Sequence, residues 1–155
     1  MSHPAPLDIE RWLPLAVAWA QDQCAASLEA GRALERHEIE LARRVGVERA
    51  DQIRLHVVEE FPRPKNAELS RVADQLGFLG PGMIGLTLGH AVLVDARHQR
   101  SERLLRHEFR HVHQYEAAGG FDAFLTDYLA QIIEYGYFDA PLEVDARAHE
   151  LDAER

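Results

Sequence analysis

The sequence predicts an α+β protein, a mostly helical single domain with a small antiparallel sheet or hairpin packed on one central helix. Long segments near both ends repeat apolar residues at three- and four-residue steps, the helical period. Two shorter runs, residues 53–61 and 83–95, are rich in β-forming side chains and bounded by Pro and Gly, which marks strands. The 155 residues, 46% hydrophobic and 28% charged, suffice for one core with little left for a second. The expected domain spans 1–155, with an N-terminal helical part over 1–45 and a hairpin plus helices over 83–155.

The elements follow in order. Residues 1–6 carry two prolines and read as a loose tail. Residues 7–45 read as helix, with breaks possible at Pro14 and Gly31 and a stop at Gly46. Trp12, Ala16 and Trp19, with Leu13, Val17, Ala20, Cys24 and Leu28, fall at helical steps and are candidate core. The run 53–61 reads as a strand ended by Pro62 and Pro64, with His56 a satisfied sheet residue. Residues 67–76 read as a short helix stopped by Gly77. The segment 83–95 reads as a hairpin about Gly89-His90, a pair suited to a tight turn, with His90 an exposed turn residue.

The segment 101–120 is the centre of the chain. Ser101 is a candidate N-cap, Glu102 an acid in the first turn, and Gly119-Gly120 the stop. Leu105, Phe109 and Val112 form its apolar stripe. The run His107-Glu108-Phe109-Arg110-His111 reads H-E-x-x-H. Residues four apart share a helix face, so His107 and His111 can offer two imidazole nitrogens to one metal ion. Glu108 stands beside that face, placed to act as general base on a zinc-bound water. Gln114, three residues past His111, can orient a ligand. If the hairpin strand lies at a sheet edge beside the metal, it can bind an extended peptide by strand addition.

Residues 121–135 form a second strong helix, with Phe121, Phe124, Leu125, Tyr128, Leu129, Ile132 and Ile133 as core stripe. A break over 135–138 precedes a third helix, with Pro141 in its first turn. Two His need a third protein ligand. A continuation H-x-x-G-x-x-H is excluded, because Gln114 and Ala117 stand at those places. Glu143 is the leading candidate, since the short break lets its helix fold back alongside the metal helix. Asp145 is an outer acceptor or an alternative ligand, and His149 and Glu116 come next. Arg147, one turn on, can pair with Glu143. Tyr135, Tyr137 and His149 are candidates to steady an oxyanion.

The run from His107 to Tyr115, with Pro141-Leu142-Glu143-Val144-Asp145-Ala146, resembles the minimal gluzincin-type zinc metallopeptidases. It is similar to small bacterial H-E-x-x-H domains with a preceding G-x-T-L-G hairpin, here Gly85-Leu86-Thr87-Leu88-Gly89. The likeness covers about the last half of the chain, judged by motif placement. It implies His107, His111 and Glu143 as zinc ligands, Glu108 as base, and a peptide or protein substrate. The chain departs from the family in lacking its usual N-E-x-x-x-D ligand segment. A competing expectation is a non-catalytic zinc-binding or helical protein-interaction module.

Composition narrows the classes further. A net charge of −9 argues against nucleic acid as a partner, since phosphate binding needs concentrated Lys and Arg. Arg97, Arg100, Arg103 and Arg106 read as the solvated side of a loop and helix start. Cys24 is the single cysteine, so neither a disulfide framework nor a thiolate cluster is expected. The apolar run over 13–20 is too short to span a bilayer, and Asp8 and Glu10 before it are wrong for an export signal. A cytoplasmic protein without membrane contact is the expectation.

Overall fold

The computed structural model describes residues 8–152, and the tail read over 1–6 lies outside them. Helix α1 (Ile9–Ala30) forms because Trp12, Val17, Ala20, Cys24 and Ser27 recur on one face and are buried there. It runs through Pro14 without a break. Pro14 is exposed, and the one helical bond it removes is to the carbonyl of Glu10, also an exposed residue, so the loss is open to solvent. The break at Gly31 is real: the backbone turns extended, forms β1 (Arg32–Ala33) and re-enters helix as α2 (Arg36–Arg44). A capping box between Glu35 and Glu38 starts α2. Arg32 donates to both Glu38 oxygens, at 2.8 and 2.9 Å, so Glu38 serves structure rather than a metal.

The strands β2 (Arg54–Val58), β3 (Gly85–Leu88) and β4 (Ala91–Asp95) complete a four-stranded sheet in the order β1-β2-β4-β3. The expected hairpin is present, with β3 and β4 antiparallel about Gly89-His90. The sheet as a whole is mixed, because β2 runs parallel to β4. Parallel neighbours need a long crossover, and here it contains α3 (Ala67–Leu76). All of β4 is buried, which fits its unbroken apolar run Ala-Val-Leu-Val. Leu55, Val92 and Val94 pack against α2 and the next helix, α4 (Glu102–Ala118). Ala91 and Leu93 pack on the other face against Ala20 and Cys24 of α1.

Ser101 caps α4 by accepting from the Leu104 N–H at 3.2 Å, and Gly119 ends it with a φ of 92° that a side chain would resist. Leu105, Phe109 and Val112 bury the sheet-facing stripe of α4. That leaves the His107–His111 side to face α5 (Phe121–Tyr135) and α6 (Pro141–Ala148). A tight link at Gly136 folds α6 back along α4. Among the described residues no helix is long and apolar enough to cross a membrane.

Several polar residues differ from their expected settings. His56 is satisfied as expected, with Nδ1 2.9 Å from Ser27 Oγ. Arg106 is buried rather than solvated: it donates to the His149 carbonyl at 2.9 Å and pairs with Asp152, holding the end of α6. His90 is largely buried, with Nε2 2.9 Å from Glu116 Oε2. Glu116 also accepts from the N–H groups of Glu48 and Arg49 at 2.8 and 3.0 Å. Burial raises the Glu116 pKa, but His90 and the two N–H donors outweigh it and hold the carboxylate below its ordinary 4.5. A depressed carboxylate stabilises the fold above the unfolded pKa and loses that contribution as pH falls through the folded value. Glu116→Ala is therefore expected to cost about 1–3 kcal/mol at pH 7. The cost should shrink below pH 4.5, checked by urea denaturation at several pH values.

Candidate metal centre

His107, His111 and Glu143 converge, each offering a ligand atom, with all three atoms within 4.8 Å of one another. Helical spacing on α4 supplies the two imidazoles, and the first turn of α6 supplies the carboxylate. Glu143 Oε1 stands 3.1 Å from His107 Nε2, and Oε2 stands 2.8 Å from His111 Nε2. Donors sharing one tetrahedral zinc at about 2.0–2.1 Å lie roughly 3.3 Å apart, so this spacing needs only small side-chain shifts to admit an ion. Tyr128 of α5 donates its hydroxyl to Glu143 Oε2 at 2.7 Å and fixes the carboxylate from behind.

Hydrogen bonds around the triad set which ring nitrogen would face an ion. Gln114 Nε2 donates to the Leu142 carbonyl and to Asp145 Oδ2, at 2.9 and 2.8 Å. Both amide hydrogens are thereby used, so Gln114 Oε1, 2.8 Å from His111 Nδ1, must accept. His111 thus carries a proton on Nδ1 and donates its Nε2–H to the Glu143 carboxylate, and a bound metal ion would displace the Nε2 proton and take that nitrogen as ligand. Arg110 holds Asp145 at 2.8 and 3.3 Å and donates to the Val45 carbonyl, tying this relay to the core. Asp145 is thus committed to Arg110 and Gln114 and stands outside the group of three. Gln114→Ala is expected to weaken metal binding roughly 10–100-fold with the triad intact, read by competition against a chromophoric chelator.

The electrostatics follow from burial of unlike groups. Glu143 is 1% exposed, which disfavours its charge, yet the two His and Tyr128 outweigh this and hold it far below the carboxylate range. Burial likewise lowers the His111 pKa, but the Glu143 carboxylate beside it wins and raises it to about 9. His107 is also raised, burial being overcome chiefly by Glu143. Tyr128 is pushed well above its ordinary value by burial and by Glu143, so its hydroxyl remains a donor.

Glu108 is not in the triad but stands beside it. Thr87 of β3 donates its hydroxyl to Glu108 Oε2 at 2.6 Å. A Cβ on Gly85 would lie 2.6 Å from Glu108 Oε1, so only glycine leaves room for the carboxylate against the strand. The Gly85 and Thr87 of the hairpin motif therefore serve the acid of the helix motif. β3 is a terminal strand of the sheet, as strand addition requires. Two spaces meet at these residues. A cleft of about 500 Å³ opens on Gly82, Ile84, His107, Glu108 and Glu143, and a second cavity of about 130 Å³ runs beneath α1 and α3.

Other expected participants stand elsewhere. Arg147 does not pair with Glu143: it donates to the Phe138 carbonyl and lies over the Phe138 ring at 4.0 Å, in the cleft wall. Tyr135 is half exposed and lines neither space, because its side chain is on the outer side of α5. Tyr137 lines both, beside Glu108 and Glu143. His149 is turned to the Asp145 carbonyl at 2.8 Å, and Glu116 to His90. Two neighbours escaped the sequence reading. Tyr128 sits in an apolar stripe that reads as core, and its step of four from Phe124 gave no hint of the carboxylate. Glu150, 3.5 Å from His107 Nδ1, lies past the end of α6.

Fold and centre together define an α+β protein with a largely buried His-His-Glu group able to hold a metal ion, and an acid held beside it by an edge strand. Compared with protein-family models, curated proteins and solved structures, the chain finds no match in any of the three.

Proposed function

We propose that this protein is a zinc-dependent metallohydrolase acting on peptides, with Glu108 as general base. The observation that carries the reading is the placement of Glu108: it is anchored by Thr87 at 2.6 Å and given space by Gly85, and it lines the same cleft as His107 and Glu143. The donor set of two imidazoles and one carboxylate is that of catalytic zinc sites, which keep a position open for water or substrate. Zinc held by His107, His111 and Glu143 would supply Lewis acidity at neutral pH.

The chain's own residues do the rest. The Glu108 carboxylate takes a proton from the attacking water and returns it to the leaving amine. Gln114 and Asp145 keep His111 in one tautomer and orientation, and Tyr128 keeps Glu143 from turning away. The β3 edge offers backbone groups to an extended peptide, which favours a peptidase over hydrolases of small esters. Tyr137, bordering Glu108 in both spaces, is placed to donate to an oxyanion.

Protein purified without chelators or a His-rich tag is expected to hold about one zinc per chain. It should cleave a mixed peptide pool in a zinc-dependent manner, losing cleavage with chelator and regaining it on zinc addition. Absence of stoichiometric metal under zinc-replete conditions would end the proposal.

A further inference from the structure

We infer that the cavity beneath α1 and α3 takes one large apolar side chain, aromatic or branched aliphatic, of a peptide whose backbone lies along β3; this rests on the peptidase reading above. The cavity measures about 130 Å³. An apolar cavity of about 150 Å³ accepts benzene, so the space suits one ring or one branched chain and no longer apolar tail. Its wall changes character from end to end. Glu108, His111 and Glu143 border it at the metal centre, whereas α1 and α3 border it with Trp12, Ala16, Trp19, Leu69 and Val72. A group entering from the centre therefore passes from polar to apolar surroundings, as a side chain projecting from a peptide does.

Two details tie the space to a ligand. Ala16 lies four residues after Trp12 and three before Trp19, hence on their face of α1, and its small side chain is what leaves room between the two indoles. The β3 residues Gly85 to Leu88 border the same space, so a strand added to that edge brings its side chains to the cavity.

The test uses the chain's own reporters, since both of its tryptophans stand in the wall. Zinc-loaded Glu108→Gln protein, in which turnover is slowed by about 10²–10⁴-fold, is titrated with a blocked glycine heptapeptide and with the same peptide carrying one central Phe. The Phe peptide is expected to shift tryptophan emission saturably and to bind at least about tenfold more tightly than the glycine peptide. In an added Ala16→Phe background the shift should vanish and the preference fall below about twofold. Ala16→Leu, a smaller intrusion, gives an intermediate loss and stands in should Ala16→Phe not fold. Equal affinity for the two peptides, or a shift that survives in both Ala16 variants, would overturn the inference. Zinc-dependent cleavage without any Phe preference removes this cavity's role and leaves the hydrolase. A Phe-dependent shift in a protein whose Glu108-intact form cleaves nothing keeps the cavity and removes the hydrolase.

Discussion

Glu143→Ala is expected to weaken zinc binding by more than the roughly 10–100-fold that loss of an outer partner costs, because it removes a direct donor. The structure makes this position hard to replace. Glu143 is 1% exposed and meets both imidazoles and the Tyr128 hydroxyl, so no water enters freely to take its place. Asp145, the nearest acid on α6, is already committed to Arg110 and Gln114 and cannot swing in without breaking that relay. Glu143→Gln separates charge from shape. Its amide keeps a partner for Tyr128 and fills the same volume, so the fold should persist while zinc affinity falls nearly as far. Competition against a chromophoric chelator gives the affinity, and thermal melting with and without zinc gives the fold. Unchanged zinc affinity in Glu143→Ala, alongside its loss in His107→Ala, would place the third ligand elsewhere.

The sequence made half of this centre legible because half of it is local. Two His four apart with an acid after the first lie on one helix face whatever the tertiary structure, and Ser101 and Gly119 bound that helix by short-range chemistry alone. Glu143 was reachable by a weaker inference: a short break at Tyr135–Gly136 followed by Pro141 suggested a helix folding back, and the fold brings it there. Tyr128 was not reachable. A tyrosine within an apolar stripe is indistinguishable from core until the helix that bears it is docked. The same limit hid the parallel pairing of β2 with β4, since the partner of a strand across a helical crossover is a long-range choice. Arg147 shows the opposite error. Its one-turn spacing from Glu143 suggested an ion pair, but Glu143 faces inward to the imidazoles, and the guanidinium found the Phe138 ring instead. His90 followed suit: a two-residue turn reads as exposed, yet α4 packs Glu116 against it.

Glu108→Gln is the change that separates a hydrolase from a module that merely holds metal. General bases contribute about 10²–10⁴-fold, so turnover is expected to fall by that factor while zinc content stays at its wild-type level. The fold should be unaffected. Glutamine has the shape of glutamate, its carbonyl oxygen still accepts from Thr87, and Gly85 still leaves the space the group occupies. Gly85→Ala attacks the same carboxylate from the strand side. The added methyl would stand 2.6 Å from Glu108 Oε1, so the acid must move while His107, His111 and Glu143 remain in place. Misplacing a catalytic group by about 1 Å can cost on the order of 10²-fold, and that loss is expected here with zinc retained. Zinc per chain, the melting temperature and peptide cleavage are measured together on both variants. Cleavage that survives both changes would mean that Thr87 and Gly85 hold Glu108 for the sake of the fold, and that the proton is moved by another group.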